Sequence, residues 1–138
     1  MAAARDCADT MEAQAANLAA ADVPMDAALR AQTVEHCATI KDRAGRATFE
    51  LALLEAELAK DGPPSEDSVR RLIGVEATMM EALAPLAELA DALELAAERD
   101  PAQEQAFVLV IEATGVMLEG IDRAREATVA LDYSAPRS

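Results

Sequence analysis

Alanine constrains this chain more than any other feature: 34 of its 138 residues are Ala. Alanine has the highest helix propensity of any residue and buries little surface when it packs. The residues that favour strands and turns are scarce, with aromatics at 2% of the chain, five Gly and six Pro. An all-α fold follows. The length suits one domain, and no shift in composition argues for dividing it.

The hydrophobic total of 52% overstates the core, because Leu, Ile, Val and Phe together number only 29 residues. That fraction lies close to the composition at which highly charged chains fail to fold. Two things compensate for a thin core: close packing of alanine-lined helices, or burial of apolar surface against a second copy or a partner. A homo-oligomer, with a dimer favoured, or a complex with another protein is therefore expected. The net charge of −14 repels phosphate backbones and anionic lipid heads, so nucleic acid and membranes are not expected partners. The first residues, MAAARDCADTMEAQ, form neither a basic leader nor a long apolar stretch, and a cytoplasmic protein with two reduced thiols is expected.

Three breaks divide the chain. At Ala21-Asp22-Val23-Pro24, Asp22 suits a cap and Pro24 a first turn. At Lys60 to Asp67, Gly62 suits a left-handed stop, Pro63 and Pro64 forbid continuation, and Ser65 followed by two acids opens a new helix. At Asp100-Pro101, Asp100 caps and Pro101 takes the first helical position. The breaks predict helices over 3–21, 23–60, 66–99 and 101–131, the first shorter than the others, and a disordered tail over 132–138. Short connections make this an antiparallel up-down four-helix bundle, a single domain over 1–131. Spacings of three and four give core stripes at Cys37, Ile40, Ala44, Ala47, Leu51, Leu54 and Leu58, at Leu72, Met79, Leu83, Leu86, Ala90 and Leu93, and at Phe107, Ile111, Thr114, Leu118 and Ile121. Pro85 is expected to kink the third helix, with Gly115 opposite it permitting close approach.

Folding back near residue 22 puts Cys7 and Cys37 at one height, each on the apolar stripe of its helix, with Met11 beside the first and His36 beside the second. Such a soft set suits a thiophilic metal of the Cu(I) type, or a thiol that cycles with a disulfide. Against this, buried cysteines commonly serve as small apolar side chains, and there is no C-x-x-C or H-x-x-x-H spacing. Glu76 and Arg125 stand at hydrophobic positions of their helices and at matching heights, as a buried ion pair that fixes register would. Lys41, Arg43 and Arg46 form a basic segment, either a solvated face or a docking spot for an acidic partner. A carboxylate-bridged dimetal site needs Glu-x-x-His, which is missing, and the single histidine also argues against haemerythrin-like chemistry. Adjacent helical residues point about 100° apart, so Cys37 and His36 do not form a nucleophile and base. No catalytic residue and no cofactor-binding motif emerges. The expected function is a non-enzymatic protein-interaction module, an adaptor, chaperone or regulator that self-associates. The alternative is a thiol-redox or soft-metal bundle using Cys7 and Cys37.

Overall fold

The computed structural model describes residues 1–61 and 64–134. Among them are four α-helices and no strand: α1 (Ala2–Ala20), α2 (Ala27–Asp61), α3 (Glu66–Arg99) and α4 (Glu104–Ser134), with a 3-10 turn, Pro101–Gln103, before α4. Each helix packs on two others, α1 and α3 both lying against α2 and α4, so the four enclose one core. The first helix is the shortest, at 19 residues.

The helix boundaries follow local chemistry. Ser65 accepts a hydrogen bond from the Ser68 N–H, and Glu66 and Asp67 meet the positive end of α3. Asp100 does the same for Ala102, and Pro101 starts the turn that leads into α4. Gly62 and Pro63 lie outside the described residues, as do residues 135–138 of the expected tail. Asp132 to Ser134, also assigned to that tail, belong to α4.

The first break differs from expectation. Residues 21–26 are not helical, and α2 begins only at Ala27, so Pro24 sits in the connection and not in a first turn. The Arg30 guanidinium holds this connection by donating to the Ala21 and Val23 carbonyls. Asp26 and Gln103 bond reciprocally, the Asp26 N–H to Oε1 at 2.9 Å and Gln103 Nε2 to the carboxylate at 3.1 Å. The start of α2 is thereby fastened to the turn before α4.

The predicted stripes on α2 and α3 are buried, with Leu58 only partly so. On α4 the phase differs. Its core face is Ala106, Val110, Ala113, Met117, Ile121 and Ala124. Of the expected stripe only Ile121 is fully buried; Phe107 is half-buried, Ile111 is 48% exposed and Leu118 37%. Gly115 likewise faces open space and admits no close neighbour, contrary to its expected role opposite Pro85. The close approach is at Gly120, where an added Cβ would stand 3.3 Å from Cys7 Sγ and 3.6 Å from Cys7 Cα. Glycine there lets α1 settle onto α4.

Candidate functional site

Cys7 and Cys37 are both buried, free thiols. Burial pushes each thiol up to about 11, and for Cys7 the Glu76 carboxylate adds to the rise while Arg123 opposes it. At neutral pH both are protonated, which disfavours the thiolate that metal binding and disulfide exchange require.

The contacts between α1 and α2 include those of Arg30 with the Ala21 and Val23 carbonyls at one end and the pair of Glu55 with Arg5 at 3.0 Å at the other. Met11 is fully buried one turn from Cys7, and His36 is half-buried next to Cys37. Among the described residues no three His, Cys, Asp or Glu side chains are gathered as a metal cluster.

Glu76 is buried as its position suggested, but its partner is Thr128, whose hydroxyl donates to Oε1 and also to the Ala124 carbonyl. Arg125 is exposed and does not bond to Glu76. Its charge acts from a distance, as does that of the chain's amino terminus. Burial outweighs these influences and the Thr128 hydrogen bond, and holds the Glu76 carboxyl above its ordinary value of 4.5. The folded chain therefore keeps this proton at pH values where the unfolded chain has lost it. The stability that this group contributes is fullest below about pH 4.5 and falls as pH rises through the folded value. Glu76→Gln retains an acceptor for Thr128 and removes the buried charge. Its melting temperature should exceed that of the parent by roughly 3 °C at pH 7, with the gap closing near pH 4. A lower melting temperature at pH 7, measured by circular dichroism, would make the ionised carboxylate a net stabiliser.

Lys41, Arg43 and Arg46 lie on the outer side of α2, where Arg46 pairs with Asp42 at 3.3 Å. Lys41, Asp42, Arg46 and Glu50 surround a shallow depression beside Phe49, which is 66% exposed. Acids and bases alternate there, and Arg46 is paired within its own helix.

A further apolar series, expected from the sequence to face the core, is largely exposed. Phe107, Ile111, Gly115 and Leu118 follow one another at spacings of three and four on the outer side of α4, with Val108 and Thr114 flanking them. Glu112 and Glu119, both exposed and within a turn of Gly115, border this face between Glu104 and Asp122. On α3, Ile73, Met80, Ala84 and Ala87 share a face by the same spacing, and Ile73 lies beside Val129 of α4 in a common cleft. The signal was present in the sequence as a second apolar series, Ala106, Val110, Ala113 and Met117, interleaved with the bulkier one. A single helix with two apolar series turns only one of them inward.

No protein-family model matches the chain, and no curated protein or solved structure shows significant similarity to it.

Proposed function

We propose that this chain is a non-enzymatic protein-interaction module, a helical scaffold that presents the outer face of α4 to a protein partner. In this reading the four helices run alternately up and down, α3 bends at Pro85, and the protein works in a reducing aqueous compartment such as the cytoplasm. The alternation is supported by the contacts that join the start of α1 to the end of α2 through Arg5 and Glu55, and the end of α4 to the start of α3 through Thr128 and Glu76. The bend is supported by the N–H that Pro85 lacks within α3. No helix among the described residues is long and apolar enough to cross a membrane.

The observation that carries the proposal is the solvent exposure of Ile111 and Leu118, one to two turns apart on α4. Contiguous apolar surface of this kind marks interaction sites on soluble folds. A test is to place a photo-crosslinking phenylalanine analogue at position 111 and, as a control, at Glu35 on the outer side of α2, and to irradiate the protein in its native cells. A discrete protein adduct at 111 and none at 35 is expected. Absence of any adduct at 111, from a folded variant, would overturn the interaction reading.

A further inference from the structure

We infer that the cleft between α3 and α4 beside Glu76 binds a small zwitterion of the α-amino-acid type with an aliphatic side chain. Its ammonium sits on the Glu76 carboxylate, its carboxylate on Arg125, and its side chain against Ile73 and Val129. This goes beyond the interaction reading, and its test needs no protein partner.

The cleft has a volume of about 230 Å³ and is lined by Ile73 and Glu76 of α3 and by Arg125, Thr128, Val129 and Asp132 of α4. Spacings of three and four put each set on one side of its helix. Pockets for drug-sized ligands run from about 300 Å³ upward, so the occupant is smaller than that. Ile73 and Val129 are each more than half exposed, whereas Glu76 and Thr128 are only 3% and 4% exposed. Aliphatic walls over a few convergent polar groups are the usual form of a small-molecule site.

Glu76 is the residue that points to a ligand. Its Oε1 accepts from Thr128, and its other oxygen accepts no hydrogen bond from a described residue. Every fully buried side-chain nitrogen or oxygen among the described residues has a partner. The second oxygen of Glu76 therefore reaches solvent, and the cleft is where Glu76 meets it. A carboxylate sunk in an apolar core is costly unless something pairs with it. The cations that act on this one, Arg125 and the chain's amino terminus, do so from a distance. Burial holds the carboxyl above its ordinary value for the same reason, a property common among carboxyls in functional clefts.

Arg125 supplies the second half of the charge pattern. It lines the same cleft, is exposed, and forms no ion pair among the described residues. On α4 it stands ~4.5 Å along the axis from Thr128, whose hydroxyl marks the level of Glu76. An acid and a base that share a cleft without touching leave a gap for a group that carries both charges. A simple amine would meet Glu76 but also the like charge of Arg125. A simple carboxylate would meet Arg125 but also the like charges of Glu76 and Asp132. In an α-amino acid the two charged groups sit on one carbon, so each meets its opposite. Ile73 and Val129 then take the aliphatic side chain, which expels water from two apolar side chains that the fold leaves uncovered.

The test is a titration of the isotopically labelled full chain with L-leucine, followed by the backbone amide resonances of Ile73, Thr128 and Val129. These should move together and saturate with a dissociation constant on the order of 1 mM or tighter. 3-Methylbutylamine, which lacks the carboxylate, and 4-methylpentanoate, which lacks the ammonium, should each bind about tenfold more weakly or worse. Glu76→Gln keeps the acceptor for Thr128 and is expected to fold, so its loss of binding, about tenfold or more, reads the charge and not the fold. Arg125→Gln, at an exposed position, should lose a similar factor, while Arg99→Gln at the far end of α3 should bind as the parent does. Absence of a saturable shift up to about 20 mM leucine would overturn the proposal. So would undiminished binding to Glu76→Gln or Arg125→Gln, shifts centred away from the cleft, or an amine that binds as tightly as leucine. The interaction reading is decided separately, by the adduct at position 111, whatever leucine does.

Discussion

Truncation of Met11 to alanine is expected to lower the melting temperature by about 10 °C. The core face of α1 is Ala4, Cys7, Ala8, Met11, Ala15 and Leu18, so two large side chains hold a 19-residue helix against the rest of the bundle. Leu18 sits near the end of α1, whereas Met11 is at its middle and has no accessible surface. Removing a buried methionine costs about 2–5 kcal/mol through lost transfer energy and the cavity left behind. For a domain of this size each kcal/mol is worth roughly 3–5 °C. Met80, only partly buried against the core, provides the contrast, and Met80→Ala should cost less than half as much. Thermal melts at one fixed protein concentration decide the matter, because association shifts apparent stability. A loss below about 3 °C would mean that α1 does not dock through this residue. The same melt examines a metal role for Met11: if Met11 serves packing alone, a copper(I) chelator leaves the parent and variant curves unchanged.

Most of the helical layout was legible because its signals are local. Ser65, Asp100 and Pro101 act on backbone groups within a few residues, and those interactions are the same in any fold. The stripes on α2 and α3 were legible because each helix has only one apolar series rich enough to be a core face. On α4 there are two series of equal period, and periodicity carries no information about which faces inward. Bulk favoured Phe107, Ile111 and Leu118. The fold chose Ala106, Val110, Ala113 and Met117, a face that continues to Gly120, where α1 comes close enough to exclude a side chain. Phase was thus decided by a tertiary contact between residues more than a hundred positions apart.

Contacts between helices were less legible for a related reason. The height of Cys7 against Cys37 depends on how many residues the first connection takes up, and Asp22 and Pro24 read equally well as the start of a helix and as parts of an extended link. Arg30, reaching back to Ala21 and Val23, and Asp26, bonded to Gln103, select the link. None of those partners is visible as a motif. Glu76 was correctly placed in the interior because its position interrupts an apolar series, but Thr128 was overlooked as its partner. A threonine that donates to a carboxylate on a neighbouring helix leaves no charge pattern to read, whereas Arg125, nearby and of opposite sign, does.

Gly120→Val is expected to cost about 2–3 kcal/mol, the upper part of the usual range of about 1–3 kcal/mol for overpacking, and to lower the melting temperature by roughly 10 °C. Gly120→Ala should be near neutral, because two terms of similar size oppose each other. Alanine gains up to about 1 kcal/mol of helix propensity over glycine, but its Cβ would stand 3.3 Å from Cys7 Sγ and 3.6 Å from Cys7 Cα, so α1 must yield by a few tenths of an ångström. Removing the sulfur separates the terms. In the Cys7→Ala background Gly120→Ala should become stabilising, giving a coupling between the two positions on the order of 0.5–1 kcal/mol in a double-mutant cycle. Gly45 and Gly74, where an added Cβ meets nothing within 4 Å, are the controls, and alanine at either should stabilise by about 0.5–1 kcal/mol whether or not Cys7 is present. If valine at 120 is tolerated as well as alanine at 45, α1 does not rest on α4 through Cys7, and the phase of α4 argued from that contact falls with it. A loss confined to position 120 and relieved at Cys7 fixes which side of α4 is committed to the core, and so which side is free to meet another molecule.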